Sequence, residues 1–174
     1  DKVGLMIFTE QVEHFVPPSK SRRHCLKLIT DLLQFEPGHH GTSISTAVDT
    51  AARVLKKRSI VFLVSDFLSP GYEHSLKLIK QRHDLIAVTV SDPREHELPN
   101  VGLIELYDWE NGQALLVDSS SRAVRTAYAK AAKVRSRQLQ QSMRRLGVDQ
   151  IPVTTDKPFL PSLIRFFQGR GGKR

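Results

Sequence analysis

Few residues in this 174-residue chain combine reactive chemistry with the setting of a site. Asp66 follows directly on the most strand-like run, Arg58 to Ser65 (RSIVFLVS). Thr42 lies in a turn-rich loop, Glu36 to Ser43, which opens onto a helical segment. In open α/β sheets, ligands bind beyond the carboxyl ends of the strands. A carboxylate and a hydroxyl at that edge are hard oxygen donors, suited to Mg²⁺ or Mn²⁺ rather than to soft metals. The same residues also have a purely local reading, with Asp66 starting a turn and Thr42 or Ser43 capping a helix. His39 and His40 stand beside Thr42, but no third ligand follows at motif spacing, so an exposed loop pair is expected. Cys25 shares a helical apolar stripe with Leu28, Ile29, Leu32 and Leu33, which predicts a small buried thiol.

The usual catalytic signatures are absent. The chain has no G-x-x-x-x-G-K-[ST], no G-x-G-x-x-G, no G-x-S-x-G, no H-E-x-x-H and no C-x-x-C. An enzyme using Asp66 in phosphoryl or hydrolytic chemistry is the catalytic alternative. Receiver-like sites of that kind bring further acids after the first strand, and Lys2 to Glu10 offers only Glu10. The expectation is a non-catalytic protein.

The elements that must position Thr42 and Asp66 alternate along the chain. Lys2–Phe8 reads as a buried strand, and Val12, Phe15 and Val16 as a short edge strand that stops at Pro17-Pro18. Ser19 or Ser21 caps a helix running to about Phe35, and a second helix spans about Ser43 to Lys57. Ile60 to Val64 are consecutively apolar, as in an interior parallel strand covered by helices on both sides. A helix from about Tyr72 to Arg82 leads to the strand Leu85–Val90. Ser91 to Asn100 reads as a polar loop. Val101–Tyr107 and Gln113–Val117 read as a hairpin over Glu110-Asn111-Gly112. A long basic helix, the strand Gln150–Val153 and a last helix from about Pro158 to Phe167 complete the pattern. Such alternation implies an α/β fold with a mostly parallel sheet. One domain over residues 1–168 is expected, with 169–174 as a disordered basic tail.

Charge narrows the choice of partners. The formal net charge is +8. Between Ser119 and Leu146 stand Arg122, Arg125, Lys130, Lys133, Arg135, Arg137, Arg144 and Arg145, with no acid among them. With Arg170, Lys173 and Arg174 they carry the whole excess. A solvated face on a packing helix is the plain reading, an anionic partner is another, and nucleic-acid or anionic-surface binding through 119–146 is an alternative function. The apolar positions Val124, Ala127, Tyr128, Ala131, Val134, Leu139 and Leu146 predict a buried stripe, and no aromatic interleaving offers base stacking. One cysteine excludes an internal disulfide, and no apolar run reaches the roughly 18 residues of a membrane span. A first residue Asp1 directly before a strand leads us to expect a piece of a longer protein.

Four segments carry a resemblance: DKVGLMIFTEQVEHFVPPSKSRRHCLKLI, GHHGTSISTAV, RSIVFLVSDF and SDPREHELPNVGLIEL. In this order the chain resembles the bacterial domain of unknown function number fifty-eight, a relative of von Willebrand factor A domains, from Asp1 to about Phe167. The resemblance implies a Rossmann-like sheet with helices on both faces. It also implies a metal-ion-dependent adhesion site built from an Asp-x-Ser-x-Ser loop, a threonine and an aspartate. Thr42 matches the second part and Asp66 the third. The first part, and the first strand it follows, are not in this sequence. Mg or Mn is therefore expected in the full-length parent and not in this chain alone. The implied partner is a protein such as a MoxR-type AAA+ ATPase, in protein maturation or assembly. The implied location is cytoplasmic, in a parent that upstream helices can anchor to a membrane. The first strand is central in related domains, so Lys2–Phe8 and Arg58–Ser65 are expected either to close up in parallel or to leave a gap that a second copy, as a dimer, or an upstream segment fills. A parallel core of Lys2–Phe8, Arg58–Ser65 and Leu85–Val90 is expected, with Thr42 and Asp66 at one edge.

Overall fold

A computed structural model of the chain describes residues 1–107 and 113–171. Its element order is β1 (Val3–Phe8), β2 (Val12–Ser19), α1 (Arg22–Leu33), α2 (Ile44–Val54), β3 (Ile60–Ser65), α3 (Glu73–Arg82), β4 (Asp84–Ser91), α4 (Pro93–His96), β5 (Leu103–Tyr107), β6 (Ala114–Asp118), α5 (Arg122–Leu146), β7 (Asp149–Thr154) and α6 (Leu160–Gly171).

The central sheet is parallel, in the order β3-β4-β7. Its middle strand is the most enclosed: Leu85, Ile86 and Ala87 of β4 are at most 1% exposed. Around it gather Ile44 and Val48 of α2, Leu63 and Phe67, Tyr72, Leu76 and Ile79 from α3 and its cap, and Met143 and Val148 at the end of α5. Helical spacing explains the choice. Leu76 and Ile79 are three apart and share one face, as do Ile44 and Val48, four apart. The mixed α/β architecture with a parallel sheet is as the sequence implies.

Three expectations about the core are corrected. First, β1 is not in the parallel sheet. It pairs antiparallel with β2 alone, from Val3↔Ser19 to Phe8↔Val12. β1 and β3 have not closed up: β1 pairs with its nearest strand along one edge, and no strand among the described residues pairs with its other edge. Second, β2 runs through Pro17-Pro18 to Ser19. The prolines are tolerated because this is the outer strand of a two-stranded ribbon, with register shifts beside them. Third, β3 is covered on one face only. Leu63 is buried, but Ile60, Phe62 and Val64 are 58%, 46% and 56% exposed. Phe167 of α6 reaches the ring of Phe62 with centroids 6.3 Å apart.

The helix stripes differ in the same way. Ser21 caps α1 by accepting the His24 N–H. Only Leu28 of its apolar stripe is buried, and Cys25 is exposed rather than buried. Ile29, Leu32 and Leu33 stand in solvent because no element is packed over that face among the described residues. On α5, Val124, Tyr128, Ala132, Leu139, Met143 and Leu146 form the packed stripe, whereas Ala127, Ala131 and Val134 are exposed. The helix touches its neighbours along a narrower arc than the sequence pattern allows. Gly147 ends α5 at φ +62, a left-handed position that glycine adopts without the penalty of a Cβ. Its N–H donates to the Arg144 carbonyl, and the Val148 N–H to that of Met143.

Smaller differences follow from local chemistry. The polar loop after β4 holds the one-turn α4, which Asp92 and Glu95 close as a reciprocal capping box with Pro93 inside it. The hairpin strands β5 and β6 pair antiparallel as expected, and the turn 110–112 lies outside the described residues. α6 continues to Gly171, so 169–171, which the composition gives to the tail, are helical. Arg170 explains the extension. Its guanidinium donates to both carboxylate oxygens of Asp84, at 2.9 and 2.7 Å, and reaches Asp149 at 2.9 Å. It thereby pins α6 across the starts of β4 and β7.

Candidate functional site

The loop that carries Thr42 is held from the ribbon. β1 ends at Phe8, which packs against the main core. Thr9 follows, and its carbonyl accepts the Ser43 N–H at 2.8 Å. From β2, the Glu13 carboxylate accepts the backbone N–H groups of Gly38 at 2.7 Å and His39 at 3.1 Å. It also accepts the Thr9 hydroxyl at 2.5 Å. These donors favour the ionised form, the Thr9 hydroxyl most, and hold the Glu13 carboxyl down at about 2. His39 reaches the same carboxylate through Nδ1 at 3.3 Å and lies 2.9 Å from Gln11 Nε2. It serves this latch, as an exposed loop residue. Gly41 turns the chain at φ +89, where a side chain would be strained. Ser43 then caps α2, its hydroxyl accepting the Thr46 N–H at 3.3 Å. The capping role therefore belongs to Ser43, and the half-buried Thr42 hydroxyl carries no hydrogen bond among the described residues.

Asp66 stands at the carboxyl end of β3, exposed. Its Oδ1 accepts the Leu68 N–H at 3.1 Å and the Ser65 hydroxyl at 3.4 Å. Its Oδ2 has no partner among the described residues. The turn-starting role is thus real and uses one of the two oxygens. The next residue, Phe67, has φ +60, the one left-handed non-glycine among the described residues. That conformation costs about 1–2 kcal/mol. Burial holds it: Phe67 is 6% exposed and meets Tyr72 edge to face at 5.5 Å.

The two loops rise from one body of side chains. Ile44, two residues after Thr42, and Phe67, next to Asp66, belong to the same core cluster as Leu63. No hydrogen bond joins Thr42 to Asp66. Among the described residues, no three His, Cys, Asp or Glu side chains are grouped to hold a metal ion. What the two loops offer is a hydroxyl and one carboxylate oxygen, both unused.

Sequence reasoning missed Glu13 and Phe67. Glu13 sits in an edge strand, where an acid reads as solvated, and nothing in its spacing marks residues 25 positions away as its partners. The left-handed turn at Phe67 has no signal either, since its usual marker is glycine.

Among known proteins, the chain is 30% identical over 174 residues to the uncharacterized protein Mb1516 of Mycobacterium bovis and to Rv1480 of Mycobacterium tuberculosis. Each alignment covers 98% of this chain and 54% of the relative, so the chain spans about half their length. It is also 30% identical over 160 residues to the uncharacterized protein MAV169 of Mycobacterium avium, covering 88% of this chain and 92% of that protein. Among solved structures, the conserved hypothetical protein BatB from Bacteroides thetaiotaomicron aligns with a TM-score of 0.48 at 17% identity, covering 84% of this chain and 80% of that one. The family model described as "Protein of unknown function DUF58" matches residues 1–138, and the chain belongs to that family.

Proposed function

We propose that this chain is part of a metal-dependent protein-interaction module rather than an enzyme. The observation that carries the reading is the pair of unused oxygens, Thr42 Oγ1 and Asp66 Oδ2, on two loops braced over one core cluster. Hard oxygens of this kind suit Mg²⁺ or Mn²⁺. Two protein donors leave most of a six-coordinate shell open. A third loop, the Asp-x-Ser-x-Ser of von Willebrand factor A-like domains, would raise the affinity, and a carboxylate from a partner would complete the shell. The latch at Glu13 and the strained turn at Phe67 supply what such a site needs, namely ligand loops fixed before the ion arrives. The family resemblance makes a MoxR-type AAA+ ATPase the partner to test, in maturation or assembly of other proteins.

Titration calorimetry tests the metal step. This chain alone should bind Mg²⁺ or Mn²⁺ weakly. A protein extended to the length of the longer relatives should bind at least about tenfold more tightly, a difference of 1.4 kcal/mol. Asp66→Ala should abolish the binding and Asp66→Asn should weaken it. Tight binding by the short chain that survives Asp66→Ala would place the ion elsewhere and end this reading.

A further inference from the structure

Along α5, two strips of different chemistry run side by side on the surface that faces away from the core. At 100° per residue, Arg122, Lys130, Lys133, Arg137 and Arg144 fall within an arc of about 80°. Ala123, Val134, Ala127 and Ala131 occupy the next arc of about 80° over the first half of the helix, and Gln138, Gln141 and Arg145 fill the same arc over the second half. The packed stripe, Val124 to Leu146, lies opposite. All nine residues of the two strips are exposed, Val134 by 45%. No acid occurs between Asp118 and Asp149. Among the described residues, the five cations of the ridge form no ion pair and no side-chain hydrogen bond. Arg125, by contrast, lies on the packed side and donates to the carbonyls of Ser119 and Ser120.

A solvated face needs charge but no order, and it does not need an unbroken apolar strip beside the charge, as Ala123 to Val134 provide over the first half of α5. We propose that α5 is a docking face for an acidic amphipathic helix of a protein partner. Such a helix carries acids on one side and apolar residues on the next, so it matches both strips at once. The alanines let a second helix approach closely, at the 8–10 Å typical of packed helices. Successive ridge cations are mostly three, four or seven residues apart, which meets acids repeated at one or two turns on the partner. The 12 residues from Ala123 to Val134 give a two-strip track of about 18 Å, and the cation ridge continues beyond it to Arg144. Nucleic acid is disfavoured, because phosphates would use the ridge and leave the apolar strip wet, and neither strip has an aromatic side chain for stacking. A lipid surface is disfavoured because the strip offers alanines and one valine where membrane-binding helices offer Leu, Phe or Trp. This surface is separate from Thr42 and Asp66, and the proposal stands whether or not they bind a metal.

The test uses the intact chain and a fluorescent synthetic helical peptide, with glutamates along one face and leucines along the adjoining face. A second peptide has the same composition with those residues redistributed around the helix. Anisotropy at 150 mM salt should show the patterned peptide binding at least about tenfold more tightly than the redistributed one. The double substitution Lys130→Glu and Arg137→Glu should weaken it by a similar factor. Ala131→Gln, which blocks the strip without changing charge, should weaken it about fivefold with helix content and melting temperature unchanged. Equal binding of the two peptides would reduce the face to an ion exchanger and overturn the proposal. So would indifference to Ala131→Gln, or tighter binding to a 20-base-pair duplex or to phosphatidylglycerol vesicles under the same conditions.

Discussion

The two sides of the parallel sheet have been treated differently by the rest of the chain. On the β4–β7 side, the apolar positions are covered: Leu85, Ile86, Ala87 and Ile151 are at most 1% exposed. On the β3 side, an equally apolar strand has one face open, and Ile60, Phe62 and Val64 stay about half in water. The exposed stripe of α1, with Ile29, Leu32 and Leu33, shows the same condition. Sequence composition does not separate the two sides, since VFLV and LIAV carry the same instruction. What separates them is whether another element is present to remove the apolar area from water, and apolar area is stabilising only when removed. Contiguous exposed apolar surface of this kind marks a place where something else packs.

The sharpest way to break this contrast is to delete one side chain of the helical cover and one on the open face of β3. Leu76→Ala should cost about 2–5 kcal/mol, because a side chain buried to 0% leaves a cavity that its neighbours cannot fill. Phe62→Ala should cost about 1 kcal/mol or less, because half of that ring is already solvated and its contact with Phe167 is an edge contact. Urea denaturation of both variants decides it. A loss at Phe62 as large as at Leu76 would mean that the β3 face is covered in solution.

A smaller effect comes from the tie between the sides. Arg170 holds α6 to Asp84 and Asp149 on the covered side, while Phe167 of the same helix touches Phe62 on the open one. The pair is about one-third exposed, which limits its worth despite the two-pronged geometry. Arg170→Ala should therefore cost about 1 kcal/mol globally. It should also raise hydrogen exchange in α6 and β3 while leaving β4 protected. Unchanged exchange in β3 would show that α6 does not shield it.

The smallest effect is local and depends on pH. Glu13 has a folded-state pKa of about 2 against an ordinary value of 4.5, so its contribution is present above 4.5 and is lost as pH falls toward 2. Below pH 4.5 the loop 38–43 should loosen from the ribbon, seen as faster exchange of the Gly38 and His39 amides, while the β4 core stays protected. Glu13→Gln should show the loose loop already at pH 7. Loop exchange that ignores both changes would remove Glu13 as the latch.

How much of this was legible depends on how far each interaction reaches along the chain. Helices and strands follow from short-range pattern, and caps such as Ser21 and Ser43 follow from side chains that bond three residues ahead. Asp66 is readable as a strand-end carboxylate and Thr42 as a hydroxyl in a helix-opening loop because both settings are local. Cys25, β1 and the second face of β3 were misread for one reason: an apolar stripe says that a residue can be buried, and the burying partner lies elsewhere. The Glu13 latch and the Arg170 tie span 25 and 86 residues, respectively, and no local pattern encodes such reaches.

The pairing of the sheet also fixes an order of events. Ile60 of β3 meets Asp84 of β4 across 24 residues, whereas Ile86 of β4 meets Asp149 of β7 across 63. Closing the longer span costs about 0.9 kcal/mol more in chain entropy than closing the shorter one. Contacts between distant segments are also the slow ones to form. The β3-α3-β4 unit therefore has the shorter search, and the strand that completes the sheet has the longer one. Much of the span to β7 is α5, so forming that helix replaces 25 loose residues with one rod and shortens the search.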